Sequence, residues 1–118
     1  MDKDREVKKV LAHIGMTGSG YDFFKESEAI CQALDSDAHF EEVVLCIRSF
    51  CLMNSAKFEE ALALLEPKAE EFESLMCYVI LAASKLKLAS KVDIWLSRAM
   101  NSKDEAVKSF AKEYKEAA

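Results

Sequence analysis

By residue type, the candidates for chemistry in this chain are four cysteines, two histidines and one glycine-rich run. Cys31, Cys46, Cys51 and Cys77 form no Cys-x-x-Cys pair. His13 and His39 have no Cys or His at ligand spacing. Neither a redox dithiol nor a metal site is therefore expected. Cys46 and Cys51 fall in one expected helix, where a five-residue spacing turns the two side chains apart. All four read as small buried hydrophobes of a reducing compartment. Gly15-Met16-Thr17-Gly18-Ser19-Gly20 has the glycines of a phosphate loop but not their order. It follows an expected helix instead of a strand and lacks Gly-Lys-Ser/Thr, so it reads as a turn. No Ser, Cys or carboxylate stands in a nucleophile or acid–base arrangement. The chain reads as a non-enzyme without cofactor or metal, and its function is sought in binding.

The composition narrows the partner. At 118 residues, one domain is expected, spanning the whole chain. About half the residues are apolar, which argues against disorder. One Pro and three Gly suit an all-α chain and suit a sandwich or barrel badly. A net charge of −5 lacks the basic footprint that phosphates require, so no nucleic acid is expected. The longest apolar run is too short to span a bilayer and carries Arg48 in its middle, so no membrane insertion is expected. The start, MDKDREVKKV, lacks the apolar core of a secretory signal, which gives a cytoplasmic expectation.

That apolar run, Val43 to Met53, is the stretch around which the chain is organised. It holds one charge in eleven residues and leaves a helix almost no polar face. Such a helix must be covered all round, by its neighbours or by a partner. Arg48, its one charge, admits two readings: exposure by snorkelling, or pairing with a neighbouring acid that sets helix register.

The elements around it follow from periodicity. Val7, Val10, Leu11 and Ile14 give a helix over 4–16. Asp22 is the expected cap of a second over 22–34. A third spans 38–54 and a fourth 57–66, closed by Pro67, which disfavours helical geometry at Glu66. A fifth, over 70–86, contains Leu75 to Ala83, again without a polar face. A sixth spans 89–101, with Ile94, Trp95, Leu96, Ala99 and Met100 among its apolar positions and Ser90 as approximate cap. Ser102 with Glu105 forms a capping box for a seventh.

Shifting the sequence by 34 residues aligns Leu11 with Leu45, Gly15 with Ser49, Phe24 with Phe58, Ser27 with Ala61, Ala29 with Ala63 and Ile30 with Leu64. The string NSAKFEEALALL is close to a tetratricopeptide turn and second helix, and a weaker third copy fits at 31 residues. The expected fold is all-α, a tetratricopeptide-like α-solenoid with hairpins over 4–34, 38–66 and 70–101 and a capping helix over 103–116.

In that register Leu45, Ser49 and Leu52 belong to the core. The concave positions are Ala12, Met16, Val43, Cys46, Phe50, Met53, Cys77 and Leu81. An apolar lining of this kind suits the apolar face of an amphipathic helix better than an extended polar peptide. The competing account is a tight curl in which these residues pack only on one another. Several exposed residues of this size would make the unpartnered chain prone to self-association. A general tetratricopeptide adaptor for a peptide carboxylate or another helix is the alternative, but its basic, Asn-rich groove is not evident.

Four segments then carry a resemblance: Ile14-Gly15 with Gly18-Ser19-Gly20; Glu26 to Ile30 with Leu34; Ile47-Arg48 with Leu52-Met53-Asn54 and Phe58-Glu59-Glu60-Ala61-Leu62; and Leu96 to Asp104 with Phe110. In these the chain resembles the tetratricopeptide-like chaperones of the type III secretion needle protein, the YscG type, over residues 8–114. It departs from them at Pro67 and at Lys87-Leu88-Ala89, where relatives tend to have glycines. The resemblance implies a bacterial cytoplasmic virulence chaperone in a heterotrimer with the needle subunit and a small helical co-chaperone. It implies that the groove clasps the needle subunit's C-terminal helix and blocks premature polymerisation. It also implies that the co-chaperone meets the N-terminal hairpin, for which Val7, Val10 and Ile14 are the candidate contacts.

Overall fold

The computed structural model describes residues 8, 9, 12 and 24–117. Among these, all regular structure is helical. Its helices are α1 (Phe24–Leu34), α2 (Glu41–Asn54), α3 (Phe58–Leu65), α4 (Leu75–Lys85), α5 (Ala89–Met100) and α6 (Glu105–Ala117). Two 3-10 turns, Ala38–Phe40 and Glu66–Lys68, precede α2 and follow α3. The chain forms two compact units that divide between Ala56 and Lys57.

In the first unit α1 packs on α2. Its core joins Ala12, Cys31, Leu34, Phe40, Val44 and Ile47, with Ile30 and Val43 packed against them. The helix expected from residue 38 begins as a 3-10 turn, because the Asp37 side chain accepts the His39 N–H at 3.0 Å. Glu41 and Glu42 then sit in the first turn of α2, where carboxylates favour the helix dipole. Lys8 reaches Asp37 across this turn at 3.2 Å. At the far end the Ser55 N–H bonds to Cys51 and Leu52, and Ala56 reverses the chain at φ 59°. The expected Asp22 cap and the glycine turn lie outside the described residues.

In the second unit α4 packs against α3, α5 and α6, and α5 packs against α6. Leu65, Leu75, Val79, Ile80, Ala83 and Ala99 are among its fully buried residues. Glu66 keeps a right-handed helical conformation, φ −53° and ψ −45°, although Pro67 follows. Its carboxylate explains this: it accepts from the Lys91 ammonium and from the Trp95 indole N–H at 3.1 Å. Tertiary hydrogen bonds here override a local preference. Helix α4 starts at Leu75, five residues after the expected start, because 69–74 form successive turns. Phe72 N–H bonds to Lys68, and Leu75 N–H to Phe72. The acids of this stretch serve other elements: Glu70 pairs with Arg98 at 2.9 Å, and Glu73 accepts the Lys103 N–H at 3.2 Å.

Two expected caps are corrected. Leu88 occupies the N-cap of α5, which has no side-chain cap hydrogen bond, so Ser90 does not cap it. Asp104, one residue before α6, accepts the Ala106 N–H at 2.9 Å, while Ser102 holds only the Asp104 N–H in the turn before it. The capping box is thus replaced by an aspartate cap two residues later. On the other side of α6, Tyr114 donates to Ser84 of α4 at 2.8 Å.

Candidate functional site

Helix α2 carries four of the eight expected binding residues. Val43, Phe50 and Met53 are half-buried, and Cys46 is buried. At 100° per residue, all four lie roughly 140–160° around the helix from Arg48. Leu45 and Ser49, expected in the core, are buried, and the Ser49 hydroxyl donates to the Leu45 carbonyl. Leu52, expected beside them, is half-buried. Ala12 is buried and helical. Met16, Val7, Val10 and Ile14 lie outside the described residues.

The structure brings Ala12, Val43 and Cys46 together. They line an open depression of about 350 Å³ with Phe40, and Lys9, His39 and Glu42 complete its lining. His39 and Phe40 meet edge to face at 4.9 Å. Apolar side chains and a sparse polar lining suit an apolar anchor with a polar flank. Phe40 and His39 were missed in the sequence because the turn before α2 was read as helix.

Helix α4 offers a second apolar stripe in its own unit. Cys77, Tyr78 and Leu81 are half-buried along one side of it. Tyr78 is a further residue missed in the sequence, although its three-residue spacing from Leu81 was visible. The offset of 31 residues carries the turn here: Lys87 stands at φ 59°, as Ala56 does. It carries the core in part: Met76 is buried like its counterpart Leu45, but the counterparts of the buried Ala61 and Leu65 are not. Val92 and Leu96 are half-buried, while Trp95 and Ala99 are buried. Trp95, the largest side chain available, takes the inward stripe, and Ala99 one turn on makes room for it. Ile94 and Met100, two of the apolar positions of this helix, are 50% and 40% exposed.

Arg48 is paired with neighbouring acids, as the second of its two readings has it. Its Nε and Nη2 donate to Glu28 at 3.2 and 2.9 Å, and its Nη1 and Nη2 donate to Asp35 at 3.1 and 2.8 Å. Two bidentate forks thus use the planar donor set of one guanidinium. The hydrogen bonds it donates to Glu28 and Asp35 raise its already high pKa further.

Two of the four thiols, Cys31 and Cys77, are poor nucleophiles. Burial pushes Cys31 up to about 11, against the lowering effect of Arg48, and its Sγ lies 4.0 Å from the Val44 carbonyl. Burial raises Cys77 as well. Both are protonated at neutral pH, the inert state of a cysteine. Among the described residues no group of His, Cys, Asp and Glu is arranged to hold a metal, and no helix is long and apolar enough to cross a membrane.

No curated protein matches the chain. Among solved structures it is similar to a chain described as "Structure of the heterotrimeric complex which regulates type III secretion needle formation". The TM-score is 0.86 at 24% identity, covering 97% of this chain and 98% of that one. This likeness carries the fold, which is all-α and tetratricopeptide-like, as the 34-residue offset predicted. A family model, described as a bacterial type III secretion system chaperone protein of the YscG type, matches residues 3–118. Spanning nearly the whole sequence, that match means that the chain belongs to the YscG family of type III secretion chaperones.

Proposed function

We propose that this chaperone acts in the bacterial cytoplasm and masks the amphipathic C-terminal helix of a needle subunit. It does so by offering the apolar stripe of α2, and so prevents premature polymerisation. The observation that carries the reading is the side of α2 bearing Val43, Cys46, Phe50 and Met53, which carries no charge from Val43 onward, with Glu42 at its N-terminal edge. Three of these four side chains are only half-buried. An amphipathic helix supplies the matching chemistry, apolar anchors at three- and four-residue spacing. Cys77 and Leu81 of α4 offer a second stripe of the same kind. A small helical co-chaperone completes the assembly at the N-terminal segment, through Val7, Val10 and Ile14. The heterotrimeric complex of the structural relative supports both partners, and the family supports a non-enzymatic role.

Phe50→Asp is the direct test. Covering a Phe side chain is worth roughly 1.5–3 kcal/mol, so the variant is expected to weaken needle-subunit binding by about 10- to 100-fold. Its helical circular dichroism is expected to remain. A folded variant that binds the needle subunit as tightly as the parent protein would refute the assignment.

A further inference from the structure

The apolar stretch of α2 has a problem of its own: hydrophobicity alone does not say which side should face inward. Val44 and Ile47 enter the core of the first unit, while Val43 and Cys46 stand beside them on the helix. Turning α2 by one residue, roughly 100°, would put Val43 and Cys46 in their places, Val for Val and Cys for Ile. Only the loss of volume from Ile to Cys separates the two settings by packing, and Val43 already packs against this core while Cys46 is buried, so burial fixes the rotation only in part. The helix needs a second determinant of its rotation.

Arg48 has the geometry for one. It is the only charge between Val43 and Met53. Its two forks reach Glu28 on α1 and Asp35 in the turn that follows α1, so they hold α2 from a fixed direction. Roughly 140–160° away around the helix lie Val43, Cys46, Phe50 and Met53. A guanidinium bound bidentately at two points has little rotational freedom, whereas apolar contacts tolerate sliding. Exposed ion pairs add little to stability, and at 29% side-chain exposure Arg48 is half in water. Their better-attested use is to single out one arrangement among several of similar energy.

We propose that Arg48 is a positioning residue: clamped between Glu28 and Asp35, it sets the rotation of α2 and so selects Val43, Cys46, Phe50 and Met53 as the side presented away from the clamp. The proposal rests on the function above only for the use of that side. Its test needs no partner, so the two fail separately.

The cysteines report the rotation. Cys46 and Cys51 lie roughly 140° apart on α2. Cys46 is buried, Cys51 is half-buried, and Cys31 on α1 is fully buried and serves as the control for unfolding. Rates of alkylation at each thiol are read by mass spectrometry in the parent protein, in Arg48→Met and in Glu28→Gln/Asp35→Asn. The expected result is a shift of about tenfold in the Cys46-to-Cys51 rate ratio in both variants, with Cys31 as slow as before. Arg48→Lys, which keeps the charge but loses the forks, is expected to restore the ratio only in part. An unchanged ratio in both variants overturns the proposal. So does a uniform acceleration of all three thiols, which would make the clamp a support of the fold alone.

Discussion

Lys87 stands where a side chain is least welcome. It occupies the left-handed region at φ 59°, just past the end of α4. Its N–H bonds to Ser84 and the Leu88 N–H bonds to Ala83, both at 3.0 Å. These are the paired closing bonds of a Schellman turn, whose residue after the cap is usually Gly. A Cβ in this conformation costs roughly 1–2 kcal/mol, part of which a glycine returns as extra freedom of the unfolded chain. Lys87→Gly is therefore expected to raise stability by about 0.5–1 kcal/mol, measured by urea denaturation at neutral pH. The departure from glycine at Lys87-Leu88-Ala89 was visible in the sequence. Its cost was not, because the left-handed φ belongs to the backbone. Single residues of the core were also legible: Ser27 and Ala61 are buried, Ala29 and Ala63 exposed, and Ile30 and Leu64 half-buried, as one register predicts. Cys46 shows the limit. Its position on the presented side of α2 follows from spacing, but its burial follows from Ala12, Phe40 and Val43 around the same depression.

At the scale of elements, helices were legible and the links between them were not. Periodicity and turn residues gave each described helix, with α4 and the caps of α5 and α6 displaced. The displaced start of α4 has a visible cause: acidic side chains before it, Glu66, Glu70 and Glu73, are spent on other elements. Glu66 is the clearest instance. Burial alone would push its carboxyl up, but the hydrogen bonds from Lys91 and Trp95, with the charges of Lys91 and Arg98, outweigh it and hold the pKa below the usual carboxylate range. The consequence for pH has a definite sign. A depressed folded pKa contributes stability above the unfolded value of about 4.3, lost as pH falls through the folded value. The link between the Glu66–Lys68 turn and α5 is thus intact at neutral pH and weakens below about pH 4. Trp95, the one tryptophan of the chain, is both a partner in the link and its reporter, with Arg98 lying 4.6 Å above its ring. Its emission is expected to stay constant from pH 7 to about 5 and to change on the acid side of about 4. Glu66→Gln should shift the emission at neutral pH and flatten that acid limb. An unaltered acid limb in Glu66→Gln would assign the titration to another carboxylate.

For the whole molecule, the proposed function requires that an apolar side meant for a partner be tolerated while the partner is absent. Phe50 and Met53 on α2 and Tyr78 and Leu81 on α4 are all half-buried, and Ile94 and Met100 of α5 add exposed apolar surface. A net charge of −5 opposes self-association at low salt, and screening removes that protection as ionic strength rises. The unpartnered chain is accordingly expected to self-associate more at 0.5 M than at 0.05 M salt, while a needle-subunit helix that covers α2 suppresses the association at both. On the proposed function the same helix binds the native state and not the unfolded chain, so it is also expected to stabilise the fold. At a hundredfold excess over its dissociation constant the linkage is worth about 2.7 kcal/mol, or roughly 10 °C in Tm for a chain of this length. Differential scanning fluorimetry and light scattering on the same samples read both effects. If the peptide raises Tm but leaves association unchanged, the chain associates through a surface other than α2, with the exposed Ile94 and Met100 of α5 the next to examine. If it changes neither, the stripe of α2 is satisfied by the protein's own packing, and the chaperone grips its client elsewhere.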